Sequence, residues 1–125
     1  MEVLESGQNY LEAVLMISEK KKDVHAIDIV NELNFSKPSV SIMLKKLENG
    51  GYLTIDGNNH LHLTESGMEI AKKIYERHLV LTDILKHLGI DDKIAEEDAC
   101  KIEHDLSDVT FEKIKEYYNT NIKNK

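Results

Sequence analysis

The 125-residue chain has one cysteine, one proline and no tryptophan. A single cysteine, Cys100, excludes an intramolecular disulfide framework and a zinc knuckle built on paired cysteines. It fits a reducing cytosol. With one proline and six glycines the chain is neither linker-rich nor collagenous. No segment approaches the ~18 consecutive apolar residues of a membrane-spanning helix. The opening MEVLESGQNY lacks the basic start and apolar stretch of a signal peptide. These absences predict a cytoplasmic protein with no membrane partner. What is present is a hydrophobic fraction of 41%, enough to build a core. The length suits one domain or a small domain with an appendage, at about 100–200 residues per domain.

Sixteen basic and 23 acidic residues leave a net charge of −7. Taken alone, that argues against nucleic-acid binding. The distribution says more. Lys37 to Leu47 holds three lysines and no acid, whereas Asp91 to Asp108 holds eight acids and two lysines. An acidic stretch is most often a solvated surface, and it also attracts divalent cations.

Helical spacing and capping residues place the elements. A first helix runs from a Ser6 cap to about Lys21, with Tyr10, Leu11, Val14 and Leu15 inward. A second covers Ala26–Leu33, with Ile27, Val30 and Leu33 inward. Asn34-Phe35 breaks the chain, Ser36 caps, and Pro38 fits the first turn of a third helix reaching Glu48. That helix buries Val40, Met43, Leu44 and Leu47, and Gly50-Gly51 stops it. Two alternating runs, Tyr52–Ile55 and His60–Leu63, flank Asp56-Gly-Asn-Asn59 and predict a β-hairpin. Thr64 caps a long fourth helix ended by Gly89. Asp91 caps a fifth to about Leu106. Ser107 or Asp108 caps a sixth to about Tyr118, before a frayed tail. This order predicts a mainly α fold: a winged helix-turn-helix, residues 1–63, followed by a helical dimerisation or sensing region, residues 64–125.

The third helix opens with Ser-Lys-Pro-Ser-Val-Ser. Its hydroxyls, cations and N-terminal dipole suit phosphate, and Pro38 offers an apolar face to a thymine methyl. The DNA-facing candidates are Ser36, Lys37, Pro38, Ser39, Ser41, Ile42 and Lys45. With no Arg or Gln there for bidentate base readout, part of the specificity falls to DNA shape.

On the fifth helix, Cys100, Glu103 and His104 fall at i, i+3 and i+4. A continuous helix therefore projects a thiolate, a carboxylate and an imidazole from one face. Glu96 extends that stripe, beside an apolar stripe of Ala95, Ala99, Ile102 and Leu106. Three ligand types on one face make a half-site for a divalent transition metal. Taken alone, the motif is equally met by a small buried cysteine with solvated neighbours. His78 falls on the apolar stripe of the fourth helix, as a core histidine or an inward ligand. Asn9 and Glu12 share a face of the first helix, where a carboxylate aimed at a core needs a cation. In the hairpin, His60 and His62 share one strand face, either touching phosphate or solvated. His87 benefits from a helix C-terminus.

The stretches Asn9-Tyr-Leu-Glu12, Ser36-Lys-Pro-Ser-Val-Ser41, Leu63-Thr-Glu-Ser-Gly67, Arg77-His78 and Asp98-Ala-Cys-Lys-Ile-Glu-His-Asp-Leu-Ser107 resemble the diphtheria-toxin-repressor family of iron- and manganese-responsive regulators. The resemblance runs from about Gln8 to Tyr118. It implies a homodimer whose winged helix binds a palindromic operator when metal is bound. It implies metal ligation by Glu12, His78, Cys100, Glu103 and His104. Asn9 stands where manganese regulators of this kind carry Asp and iron regulators carry Met. Cys100 resembles the iron branch, and Glu12 the manganese branch. Thr82 replaces an acidic ligand of the ancillary iron site, and Glu96 stands where that site uses His. The resemblance leads us to expect no third, SH3-like domain. The expected function is a cytoplasmic, Mn(II)- or Fe(II)-dependent repressor of metal-uptake genes that binds double-stranded DNA and is not an enzyme. Two competing readings are a metal-independent winged-helix regulator sensing a small molecule, and a metalloenzyme with Glu12 as base.

Overall fold

A computed structural model describes residues 5–123. Met1–Leu4, within the segment read as leaderless, and residues 124–125 of the expected frayed tail lie outside the described residues. The helices are α1 (Glu5–Ser18), α2 (Ala26–Leu33), α3 (Lys37–Asn49), α4 (Glu65–His87), α5 (Asp92–Ile102) and α6 (Asp108–Tyr118). Strands β1 (Leu53–Ile55) and β2 (Leu61–Leu63) stand between α3 and α4, and a π-helical turn covers Asn119–Lys123. The chain divides into two compact units, one ending at Lys73 and one beginning at Ile74, so α4 contributes to both. Among the described residues, no helix is long and apolar enough to cross a membrane.

In the first unit α1 packs against α2, α3 and β2, and α3 packs against α2 and β1. Its core is apolar: Leu11, Val14, Ile29, Val40, Leu44, Leu47, Leu53 and Leu61 are all buried. Local chemistry sets the helix-turn-helix. Asn34 takes the left-handed conformation (φ 59°) that ends α2, and its N–H donates to the Val30 carbonyl. Ser36 then caps α3 by accepting from the Ser39 N–H at 3.3 Å. The hairpin is antiparallel, with Leu53 opposite Leu63 and Thr54 opposite His62. It is anchored twice. The Leu61 N–H donates to the Val24 carbonyl at 2.8 Å, and the Ile55 N–H donates to the Glu48 carboxylate at 3.2 Å.

The start of α4 is tied to the same unit. Thr64 Oγ1 accepts from the Gly67 N–H and donates to the Gly51 carbonyl. The helix passes so near the Tyr52 carbonyl that a Cβ on Gly67 would lie 1.8 Å from its oxygen. Only glycine fits that approach.

Several expectations need correction. Ser6 is inside α1 rather than capping it, and α1 ends at Ser18, where the Ser18 hydroxyl turns back onto the Leu15 carbonyl. In α2 the fully buried side chain is Ile29, and Ile27 is 46% exposed. An eight-residue helix offers two apolar stripes, and packing against α1 and α3 selects between them. Residues 119–123 form an ordered turn instead of fraying. The fifth helix stops at Ile102, four residues short of Leu106.

The early end of α5 has a long-range cause within the second unit. Arg77 of α4, only 4% exposed, donates from Nη1 to the carbonyls of Glu103 (3.1 Å) and Leu106 (2.6 Å), and from Nη2 to the Asp108 carboxylate (2.6 Å). Its guanidinium also lies 5.3 Å from the centre of the Phe111 ring. One side chain thus holds the α5–α6 corner, taking carbonyls that would otherwise continue the helix. Ser107 caps α6 by accepting from the Thr110 N–H. Tyr118 donates to Asp83 at 2.6 Å, and that bond to a carboxylate pushes its pKa up to about 12.

Candidate functional site

In the second unit, the corner after α5 places Glu103 against α4. Glu103 is fully buried. Its Oε2 lies 2.9 Å from His78 Nδ1, and its Oε1 lies 3.4 Å from Nε2 of the buried His104 side chain. Two imidazoles therefore flank opposite oxygens of one carboxylate. Oε1 accepts no hydrogen bond among the described residues. A buried carboxylate with one oxygen open, flanked by an imidazole nitrogen at each oxygen, matches the donor set of a divalent transition ion. The residues of this unit fit such an ion.

The sequence stripe is rearranged. Glu103 still takes helical angles as the cap of α5, but His104 lies in the following turn. Cys100, one turn earlier, is exposed, as is Glu96. Ile102 is 37% exposed, so the expected apolar stripe narrows to Ala95 and Ala99, both fully buried, and half-buried Leu106. Glu96 lines a cleft of about 340 Å³ with His78 and Thr82. In the first unit, Glu12 is buried at 7% exposure and Asn9 is half-buried on α1. The role of Arg77 in building the corner was not legible, because its partners lie 26 to 31 residues away.

The DNA-facing candidates share the outer surface of α3. Ser36, Lys37, Pro38, Ser39, Ser41, Ile42 and Lys45 are all exposed, and Ile42 is 60% exposed. The Ser36 hydroxyl donates to the Ser39 hydroxyl at 2.9 Å, so the opening turn is ordered before any ligand arrives. A groove of about 350 Å³ runs between α3 and the hairpin, lined by Ser41, Leu44, Lys45 and Asn59. An exposed helix N-terminus beside a two-stranded wing is the geometry of a major-groove reader.

Comparison with known proteins decides the lineage. A family model described as "Iron dependent repressor, N-terminal DNA binding domain" matches residues 2–61, and its companion, "Iron dependent repressor, metal binding and dimerisation domain", matches residues 64–123. The chain belongs to the iron-dependent repressor family. Members are metal-dependent DNA-binding transcriptional regulators and not enzymes, and neither the metalloenzyme nor the small-molecule alternative is favoured. The chain is 38% identical over 113 residues to an uncharacterized HTH-type transcriptional regulator of Methanocaldococcus jannaschii, covering 89% of this chain and 90% of that one. It is 35% identical to the HTH-type transcriptional regulator MntR of Shouchella clausii, covering 82% of this chain and 71% of that one. A solved structure of the manganese regulator SloR superposes with a TM-score of 0.80 at 28% identity, covering 95% of this chain and 55% of that one. The chain therefore spans about half the length of that regulator.

Sequence reasoning missed one cluster in the DNA-binding unit. Asp56, at the start of the hairpin turn, has its Oδ2 2.9 Å from His62 Nε2 and 3.6 Å from His60 Nδ1. The Asp56 carboxyl is held at about 2, chiefly by the His62 hydrogen bond and then by the His60 N–H. The alternation that put His60 and His62 on one face was readable. The return of Asp56 onto that face depends on the turn conformation, with Asn59 at φ 63°.

Proposed function

We propose that the protein is a Mn(II)- or Fe(II)-dependent repressor of metal-uptake genes that acts as a homodimer on a palindromic operator in the cytoplasm. Residues 1–63 form the DNA-binding domain in this reading, and residues 64–125 the dimerisation and metal-sensing domain. The observation that carries it is the buried Glu103 carboxylate set between His78 and His104. The proposed ligands are Glu12, His78, Cys100, Glu103 and His104, with Asn9 and Glu96 as further donors. When bound, the ion supplies positive charge against these carboxylates and a fixed coordination geometry.

The chain's own residues do the rest. Arg77 holds the corner that presents Glu103 and His104. Ser36, Lys37, Pro38, Ser39, Ser41, Ile42 and Lys45 meet the DNA, with Ser36 and Lys37 at the positive end of α3. The exposed Leu88, Ile94, Val109 and Tyr117 of the second unit give a dimer apolar surface to bury. Metal raises DNA affinity to the extent that it binds the DNA-competent state more tightly. Mixed carboxylate, imidazole and thiolate donors accept both Mn(II) and Fe(II), and affinity order alone does not choose between them.

The test is anaerobic selection from random duplex DNA with Mn(II), with Fe(II) and with chelator. The expected result is enrichment of a palindrome only when metal is present. Equal enrichment under chelation would overturn metal control.

A further inference from the structure

We infer that the wing carries a transition-metal site of its own, formed by Asp56, His60 and His62 with Asp23 beside it. It stands apart from the reading above, since all four residues belong to the DNA-binding unit. One ligand atom from each of Asp56, His60 and His62 lies within 4.8 Å of the others. His62 Nε2 is 2.9 Å from Asp56 Oδ2, and His60 Nδ1 is 3.6 Å from both Asp56 Oδ2 and Asp23 Oδ1. Ligands about 2.0–2.1 Å from a tetrahedral zinc ion stand about 3.3 Å apart, so small rotamer adjustments would place these atoms around one ion.

The carboxylate is prepared for this role. Asp56 Oδ1 accepts from the N–H groups of Asn58 (2.8 Å) and His60 (3.0 Å), which fixes the group and aims Oδ2 at the imidazoles. The His25 ring stands edge-on to His60, with centroids 4.7 Å apart, and limits how that imidazole turns. The side chains are 22% (His60), 38% (Asp56), 45% (Asp23) and 56% (His62) exposed, so an aquated ion reaches them. Two imidazoles and carboxylates select Zn(II), Ni(II), Co(II) or Cu(II) over Mg(II) or Ca(II). An ion held there ties the hairpin to the segment before α2 and neutralises the Asp56 carboxylate of the wing and the Asp23 carboxylate of that segment.

Zn(II) titration of the full chain tests the site by calorimetry and by the imidazole nitrogen resonances, comparing wild type with His62→Ala and Asp56→Asn. Both positions are partly exposed, and thermal melting of each variant checks that it is folded. The expected result is that wild type binds one more Zn(II) per chain than either variant, or binds it at least about tenfold tighter. The His60 and His62 ring signals shift with that equivalent. Unchanged stoichiometry and affinity in both variants, with unshifted ring signals in wild type, would overturn the site.

Discussion

The first unit fills its interior with Leu11, Ile29, Val40, Leu53 and Leu61, none more than 4% exposed, whereas the second buries Arg77 and Glu103 and leaves Leu88, Val109 and Tyr117 64–74% exposed. The first unit is held chiefly by aliphatic packing, with Glu12 its buried carboxylate and Ile42 left exposed on α3. The other is organised by a guanidinium, a carboxylate and two imidazoles, with apolar surface left over. Aliphatic packing fixes a shape under most conditions. A buried polar network is firm only when each member has its partner. The contrast is between aliphatic packing in one unit and a buried polar network in the other. The two halves of α4 repeat it in miniature. At Gly67 the helix is placed by a close backbone approach, and at Arg77 by hydrogen bonds reaching the next two helices.

Removing the guanidinium should break the second unit and spare the first. Arg77→Ala leaves the Glu103 and Leu106 carbonyls without their donor and should cost about 3 kcal/mol, the scale of losing buried charged hydrogen bonds. Amide hydrogen exchange should then speed up across α5 and α6 and stay slow in α1 to α3. Uniform loss of protection would contradict the contrast.

A smaller effect is expected in the first unit. Asp56 is held at about 2, below the ~3.9 of an unfolded chain. A carboxyl lowered by folding stabilises above the unfolded pKa and loses that contribution as pH falls through the folded one. The Asn58 and His60 amides, which donate to Asp56, should therefore move between pH ~4 and about 2 in an NMR titration. Asp56→Asn should abolish that step. A step centred near the ordinary carboxylate value of ~3.9 instead would show that these hydrogen bonds do not hold the carboxylate down.

Much of the first unit was legible in the sequence because its signals are local. Ser36 before Pro38, Asn34 after Leu33, and the Asp-Gly-Asn-Asn turn each act within a few residues. Ser107 before α6 is of the same kind. What was not legible depends on distant partners. The end of α5 is set by Arg77, and the inward stripe of α2 by its neighbours. The candidate ligands His78, Glu103 and His104 were readable as residue types at helical spacing. Their arrangement around one carboxylate was not, because His104 reaches Glu103 from a turn rather than from the helix.

In the proposed function Glu103 couples metal to DNA. Fluorescence anisotropy on the selected duplex, at fixed salt, tests it with wild type and Glu103→Gln, each with Mn(II) and with chelator. Mn(II) should tighten wild-type binding at least about tenfold, a coupling of about 1.4 kcal/mol, and Glu103→Gln should bind weakly in both conditions. Equal metal response in the two proteins, or none in wild type, would contradict it.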